Sequence, residues 1–137
     1  MSVETDLRRD DMESILESIK KLLGPDAEYT HFDPDIITHI NSVMMDLNLM
    51  GVGPDEGFFI EDDSSTWYDF VQEELWGKIE AIKSYIYLRV KLLFDITSMG
   101  SATIASYERQ IDRWECRIRD MVEFMHYKGE EENLNGE

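Results

Sequence analysis

Two runs of carboxylates are the residues in this chain that could most readily do chemistry. Glu61, Asp62 and Asp63 are consecutive, and Asp55 and Glu56 precede them by a few residues. Such groups could hold a divalent cation or act as a general acid and base. However, neither run has the alternating oxygen-ligand spacing of a calcium loop, and adjacent carboxylates on a turn point in different directions. We therefore expect a solvated acidic loop without a metal ion.

Other residue types that support catalysis show no useful spacing. The histidines, His31, His39 and His126, do not form a His-Glu-x-x-His or comparable ligand pattern. The run 51–54 (GVGP) has a proline where backbone N–H donors to a phosphate would be needed, and the chain contains no Gly-x-Ser-x-Gly elbow. Cys116 is the single cysteine and is interpreted as a packing residue. The sequence thus predicts a protein that is not an enzyme and has no cofactor.

Charge is large in this chain and unevenly distributed. The formal net charge of −17 divides into −2 for residues 1–21, −13 for 22–77, +2 for 78–128 and −4 for 129–137. Residues 22–77, which we call the acidic lobe, contain no Lys or Arg. Such a field repels nucleic acid phosphates and attracts basic protein surfaces, which argues against sequence-specific DNA binding. The alternative is that the acids only keep the chain soluble.

Hydrophobic periodicity predicts a mainly α-helical protein, a small bundle of about four to five helices with a long C-terminal helix. Apolar residues recur at three- and four-residue steps over 10–23, 33–51, 78–95 and 101–126. Because no window is long and apolar enough for a membrane span and the N-terminus is polar, we expect a soluble protein that does not bind membranes.

The ends of two helices have recognisable caps. Asp33 before Pro34 is expected to cap the second helix, because its carboxylate can accept a bond from a free backbone N–H. Ser64 or Ser65 is expected to cap a short helix that begins near Trp67. The glycine-rich segment before that helix is predicted to be a turn region with at most a short strand or hairpin near 58–60.

The last helix carries a heptad pattern that spans 22 residues. Seven apolar residues alternate steps of three and four: Ile104, Tyr107, Ile111, Trp114, Ile118, Met121 and Met125. This seam requires a partner helix, either in the same subunit or in a neighbour. Residues 127–137 are acidic and poor in apolar groups, so we expect them to be a flexible tail that follows one helical domain over 1–126.

Five segments, in their order along the chain, carry a resemblance to a known family. They are KKLLG, THFDPDIITHINSVMMDLNLMGVGP, FFIEDDSSTWYDF, IEAIKSYIYLRVKLLFD and ERQIDRWECRIRDM. Together, over about residues 12–125, they resemble the head-tail connector (adaptor, or head-completion) proteins of tailed bacteriophages, in particular those of Gram-positive prophages. The chain departs from the family pattern at Ile96, where a proline-rich turn is expected.

The resemblance implies a structural virion protein with no catalytic residues. Its copies would form a dodecameric ring under the portal protein, which joins the capsid to downstream head-completion or tail proteins. DNA would pass through the ring without sequence-specific binding. The protein would be made in the host bacterial cytoplasm and act at the head-tail interface of the virion. Because family members typically dock onto the portal through a terminal segment, the candidate portal contacts here are Phe124, Met125, Tyr127, Lys128 and Leu134.

The charge pattern indicates how neighbouring subunits could meet. The acidic lobe and the mildly basic second half can associate head to tail, which is the heterologous contact that closes a ring. The candidate contacts are Arg109, Arg113, Arg117 and Arg119 on one side and Glu61, Asp62 and Asp63 on the other. The alternative is that the arginines form solvated pairs within their own helix.

Two other functions fit a small acidic helical protein. One is a DNA mimic that occupies the DNA groove of a host DNA-binding protein, and the other is an unrelated helical interaction module. A mimic needs carboxylates at phosphate-like intervals on a rigid surface, whereas many acids here lie in a glycine-rich loop. The mass of the protein in solution distinguishes a DNA mimic from a connector, because a connector assembles with its portal and a mimic stays small.

Overall fold

In the computed structural model, which describes residues 13–24 and 30–135, five α-helices and three 3₁₀ turns form a bundle. The helices are α1 (Ile15–Leu23), α2 (Asp33–Leu49), α3 (Trp67–Phe70), α4 (Ile79–Asp95) and α5 (Ser101–Asn135). The 3₁₀ turns cover Thr30–Phe32, Glu73–Lys78 and Ile96–Ser98. Central helix α4 packs against α1, α2 and α5. The predicted fold class, mainly helical with a long C-terminal helix, is confirmed.

Local backbone chemistry sets both ends of α1. Ser14 Oγ accepts a hydrogen bond from the backbone N–H of Glu17 at 3.2 Å, which satisfies one of the free donors at the helix start. At the other end Gly24 has a φ of 105°, a conformation that glycine adopts without steric strain. The predicted start of this helix at Asp10 lies outside the described residues.

Asp33 does not cap α2, contrary to the prediction. It is the first residue of the helix, directly after the 3₁₀ turn that ends at Phe32, and no side chain caps this end. Its carboxylate instead pairs with Lys20 of α1, with Lys20 Nζ 2.9 Å from Asp33 Oδ1. Lys20 is 5% exposed, and a buried ammonium needs a nearby countercharge. Asp33 therefore ties α1 to α2.

The short helix α3 is capped by Thr66, and the predicted caps, Ser64 and Ser65, are wrong by one or two residues. The Asp69 N–H donates to Thr66 Oγ1 at 3.4 Å, and the Thr66 N–H donates to Asp69 Oδ2 at 2.9 Å. This reciprocal pair is a capping box. It holds a helix of a single turn.

The hydrophobic core lies between α1, α2, α4 and one side of α5. Trp67 at the start of α3 is fully buried, and its indole N–H donates to Ser18 Oγ of α1 at 2.9 Å. A buried indole needs such an acceptor, so this bond fixes α3 against α1. The largest fully buried side chains are Trp67, Tyr85, Phe70, Ile15, Ile19, Ile36, Ile40, Met44, Leu47, Ile60, Leu75 and Ile82.

A side chain, not a strand, holds the extended segment near 58–60. Asn41 of α2 accepts from the Ile60 N–H at 2.7 Å through Oδ1 and donates to the Ile60 carbonyl at 2.9 Å through Nδ2. Both backbone groups that a partner strand would bind are thereby satisfied. Accordingly, the described ranges 13–24 and 30–135 contain no strand.

Gly51 ends α2 and lies directly against α5. Its φ is 97°, and a Cβ added there would be 2.8 Å from Val122 Cγ1 of α5. The Gln72 side chain donates to the Gly51 carbonyl at 2.9 Å and fixes the turn from the other side. Only glycine allows this backbone conformation and this close approach. The turn after α2 therefore positions the acidic lobe relative to α5.

Candidate assembly surfaces

The predicted heptad seam lies on the side of α5 that packs against α4. Ile118 is fully buried and Ile111 is nearly so, while Val122, which the seam does not include, is buried as well. The other seam members are partly exposed: Ile104, Tyr107, Trp114, Met121 and Met125. We call this side the inward face of α5. Its partner helix is in the same subunit.

The opposite side of α5 carries arginines. Arg109, Arg113 and Arg117 follow one another at four-residue steps, which places them on one side of the helix, together with Cys116. All four are exposed, so the interpretation of Cys116 as a packing residue is wrong. We call this side the outward face of α5. Arg119, also exposed, is about 160° around the helix from Arg117 and about 120° from Arg113, so it does not share their side, although it is three residues after Cys116.

None of the four α5 arginines forms an ion pair with another described residue. Arg117 stacks on its own helix, with its guanidinium carbon 5.0 Å from the Trp114 ring centroid. The bases elsewhere that do pair with carboxylates are Lys20, Lys21, Lys83, Arg89 and Lys91. The solvated pairs within α5 that were the alternative reading are thus not formed in the described part. These guanidinium groups remain available to carboxylates from outside the subunit.

Helix α5 continues to Asn135, well past the predicted domain end at residue 126. The predicted tail therefore differs in conformation from the expectation over 127–135, because Glu-rich sequence favours helix even without apolar contacts. Its flexibility in solution stays a prediction. Although α5 has 35 residues, neither it nor any other helix of the described chain is long and apolar enough to cross a membrane.

The predicted portal contacts lie on this last part of α5. Phe124, Tyr127 and Leu134 are 59, 62 and 81% exposed, and their steps of three and seven place them on one side of the helix. The Lys128 ammonium lies 5.7 Å from the Phe124 ring centroid. Met125 is partly buried and faces a groove beside the 3₁₀ turn at Glu73–Lys78. The five residues thus form an aromatic and apolar end to a mostly polar helix.

The three consecutive acids Glu61, Asp62 and Asp63 are all exposed, as the predicted solvated loop requires. Asp62 Oδ1 accepts hydrogen bonds from the Ser64 hydroxyl at 2.5 Å and the Ser64 N–H at 2.9 Å. These bonds lower the pKa of the Asp62 carboxyl, so it stays ionised. Within the described residues no three His, Cys, Asp or Glu side chains come together in a way that could hold a metal ion. The loop presents fixed negative charge.

An apolar groove near this loop was not predicted. Met45 and Leu49 of α2 and Phe59 of the following loop are 69, 85 and 67% exposed and line a groove of about 490 Å³. Its other lining residues are Asn41, Met44, Asp46, Asn48, Glu56, Gly57 and Phe58. We call it the α2 groove. Contiguous exposed apolar side chains commonly mark an interaction surface. The four-residue step from Met45 to Leu49, off the buried stripe of α2, is the sequence signal that could have revealed it.

A chain of polar side chains fixes α2, α4 and α5 relative to one another. Arg89 of α4 donates to Asp46 of α2 at 2.8 Å and to the Tyr85 hydroxyl at 2.6 Å. That hydroxyl donates to Glu115 of α5 at 2.7 Å. Burial and the Glu115 carboxylate raise the pKa of Tyr85 to about 12. Because Asp46 also lines the α2 groove, the network holds this groove and α5 in one fixed arrangement.

Comparison with known proteins identifies a family. The model of the phage connector protein family matches residues 15–123. The match includes the α2 groove, the acidic loop and the four α5 arginines, and it ends just before Phe124. No curated protein and no solved structure matches the chain. Since the matched region covers well over half of the 137 residues, the chain belongs to the phage connector protein family, as its resemblance to phage head-tail connectors predicted.

Proposed function

We propose that this protein is a head-tail connector of a tailed-phage virion, whose copies form a ring that joins the portal of the capsid to the tail. The observation that carries the proposal is the family match from the start of α1 into α5. Membership of that family makes the chain a structural, connector-type phage protein. Ring formation and attachment to the portal are the steps proposed beyond it.

Ring closure is favoured by the separation of charge in the fold. The acidic lobe has a formal charge of −13, and the exposed arginines of α5 have no carboxylate partner among the described residues. The row of arginines and the acidic lobe differ from each other and are opposite in sign, while α5 over residues 101–128 has five bases and five acids. A contact between them is therefore heterologous, and such a contact repeats from subunit to subunit and forms a ring when the rotation between neighbours closes.

Attachment to the portal is assigned to the end of α5. Phe124, Tyr127 and Leu134 expose apolar and aromatic surface on one side of the helix, where no other described element covers them. Aromatic side chains of this kind are the usual anchors of protein interfaces. This segment lies beyond the region matched by the family model, so its role depends on its exposure and its position alone.

Passage of DNA through the ring is compatible with the charge of the subunit. A chain of net charge −17 repels phosphates, and repulsion that does not depend on base sequence lets a duplex slide without sticking. Downstream head-completion or tail proteins would then bind the side of the ring away from the portal.

The mass of the purified protein in solution tests this function directly. Light scattering is measured on the protein alone and then mixed with the portal protein of the same phage. A closed assembly in either sample supports the proposal, and a dodecamer has twelve times the 16.1 kDa subunit mass. A monomer that does not bind the portal contradicts the proposed function. It would favour the alternative, an acidic inhibitor of a host DNA-binding protein.

The portal contact is tested in the same experiment with a matched pair of variants. Phe124→Ser with Tyr127→Ser should abolish binding to the portal without loss of helix content. Ile96→Ser removes a side chain of similar exposure, 43%, at the turn between α4 and α5, and it should bind the portal normally. Equal loss of binding in both variants would contradict the assignment of the portal contact to the end of α5.

A further inference from the structure

The lining of the α2 groove favours an occupant that is both apolar and basic. Its walls carry Met45, Leu49 and Phe59, which are the most exposed large apolar side chains in the described part of the acidic lobe. Its rim carries Glu56, and Glu61 follows shortly after Phe59 in the same loop. No lysine or arginine lies anywhere in residues 22–77 to neutralise these carboxylates. A nucleic acid is excluded by its charge, and a neutral apolar helix would leave the acidic rim unpaired.

The outward face of α5 carries a row of arginines that is complementary to this groove, with one carboxylate, Asp120, three residues after Arg117 on the same side. Arg113 and Arg117 are exposed and have no carboxylate partner among the described residues. Other bases of the fold, such as Lys20, Lys83 and Arg89, do pair with carboxylates. The arginine stems are apolar and their guanidinium groups bind carboxylates in two-pronged geometry. An arginine-bearing helix can therefore cover apolar side chains and pair with the acids around them.

Within one subunit these two surfaces cannot meet. The network from Asp46 through Arg89 and Tyr85 to Glu115 holds α2, α4 and α5 in one fixed arrangement. The inward face of α5 is turned toward that network and the core, so the outward face points away from the α2 groove. Contact between them requires a second copy of the chain.

We infer that the outward face of α5 of one subunit docks into the α2 groove of the next. Arg113 and Arg117 pair with the acidic rim, and the helix covers Met45, Leu49 and Phe59. The inference rests on the proposed ring and names the surfaces that close it. Each subunit offers one groove and one outward face, so every contact leaves a free surface at both ends of the growing chain until the ring closes.

The native Cys116 makes this contact measurable. It is exposed, it lies on the outward face of α5, and it is the single cysteine of the chain. In the Leu49→Cys variant a second thiol is placed in the α2 groove, at a residue that is 85% exposed and so contributes little to the core. The variant, assembled alone or on the portal, is treated with a short bismaleimide and separated on a denaturing gel.

The expected result is a ladder of cross-linked dimers, trimers and larger species, since each link joins Cys116 of one copy to residue 49 of the next. Leu49→Cys combined with Cys116→Ser should lose the ladder. Glu80→Cys, which keeps Cys116 and adds a thiol at an exposed residue of α4 outside the groove, should not form it. These controls separate a specific contact from random collision.

Four outcomes overturn the inference. Cross-linked dimers without larger species would mean an isologous contact. An assembly of ring mass that gives no ladder would mean that subunits meet through other surfaces, and it would leave the connector function intact. A monomer in light scattering, with and without portal, would remove the ring itself. If cross-linked products appear only when another basic protein is added, and if they contain that protein, the groove would be assigned to that partner.

Discussion

The inward and outward faces of α5 follow the same helical repeat but differ in burial. The inward face is apolar, and Ile118 at its centre is fully buried against the rest of the subunit. The outward face, with Arg113 and Arg117, is exposed over its whole length. Helical spacing shows which residues share a side, but only the packing of the other helices shows which side is already covered. The uncovered face is where a neighbour can bind.

The largest difference between the two faces is expected in folding stability. Ile118→Ala leaves a cavity in the core and should lower the free energy of unfolding by about 2–5 kcal/mol. Arg117→Ala, one residue earlier on the outward face, should change it by no more than about 0.5 kcal/mol. Urea unfolding followed by circular dichroism measures both. Similar losses in the two variants would contradict the division of α5 into two faces.

A smaller loss of stability is expected at the turn that lies against the inward face. Gly51→Ala forces a side chain into a positive-φ conformation and toward Val122, and it should cost about 1–3 kcal/mol. Gly129 is a matched control, because it lies within α5 and an added Cβ meets nothing within 4 Å. Gly129→Ala should be neutral or stabilise by up to about 1 kcal/mol. Thermal unfolding of both variants would show the opposite signs.

On the outward face the expected effect is on assembly alone. Arg113→Glu with Arg117→Glu places like charges opposite the acidic rim, and it should weaken assembly at least tenfold, which is about 1.4 kcal/mol. The unfolding midpoint should not change. Arg119→Glu, on another side of α5, is the matched control and should assemble normally. Analytical ultracentrifugation gives the measurement, and equal weakening by both changes would exclude a contact specific to the outward face.

The smallest expected loss of stability concerns the polar network that joins Asp46, Arg89, Tyr85 and Glu115. Tyr85→Phe removes hydrogen bonds to Arg89 and Glu115 and should cost about 1 kcal/mol near neutral pH. The raised pKa of Tyr85, about 12 against an ordinary 10.0, means that the fold favours the neutral phenol. This contribution to stability is therefore complete below pH 10 and is lost as the pH rises toward 12.

Urea midpoints of the wild-type protein and Tyr85→Phe, compared on either side of pH 10, measure that contribution. The stability difference between the two proteins should narrow as the pH rises, because only the wild-type protein loses the bonds of the neutral phenol. A difference that does not change with pH would show that Tyr85 does not titrate with a raised pKa.

The helices were predictable where apolar residues repeat without interruption. α2, α4 and the start of α5 lie within a residue or two of the predicted positions, and the family resemblance was confirmed. The cap of α3 was missed because three hydroxyl residues in a row qualify by type. The Asp at position 69, three residues after Thr66, is the signal that selects among them. Helical periodicity does not indicate the helix over 127–135, because this segment has too few apolar residues to show a repeat.

The candidate surfaces were only partly predictable, for a physical reason. Charge counts along the chain identified the arginines and the acidic loop, and their exposure agrees with that reading. The α2 groove depends on how the loop carrying Phe59 folds back beside Met45, and the network through Arg89 joins residues far apart in sequence. Helical spacing could have revealed the apolar pair Met45 and Leu49 on α2. It could not have revealed that Phe59 completes the groove, or that the network forms, because tertiary contacts leave no periodic trace.

The two hydrogen bonds between Asn41 and Ile60 affect the tendency of the protein to aggregate at high concentration. A protein that accumulates in many copies at one site is at risk if it exposes an unpaired strand, since free backbone groups template β-aggregation. Here one amide side chain binds both backbone groups of Ile60 in the extended segment, and residues 13–24 and 30–135 contain no strand. The backbone of Ile60 is thus not available to pair with an extended segment of a neighbouring copy.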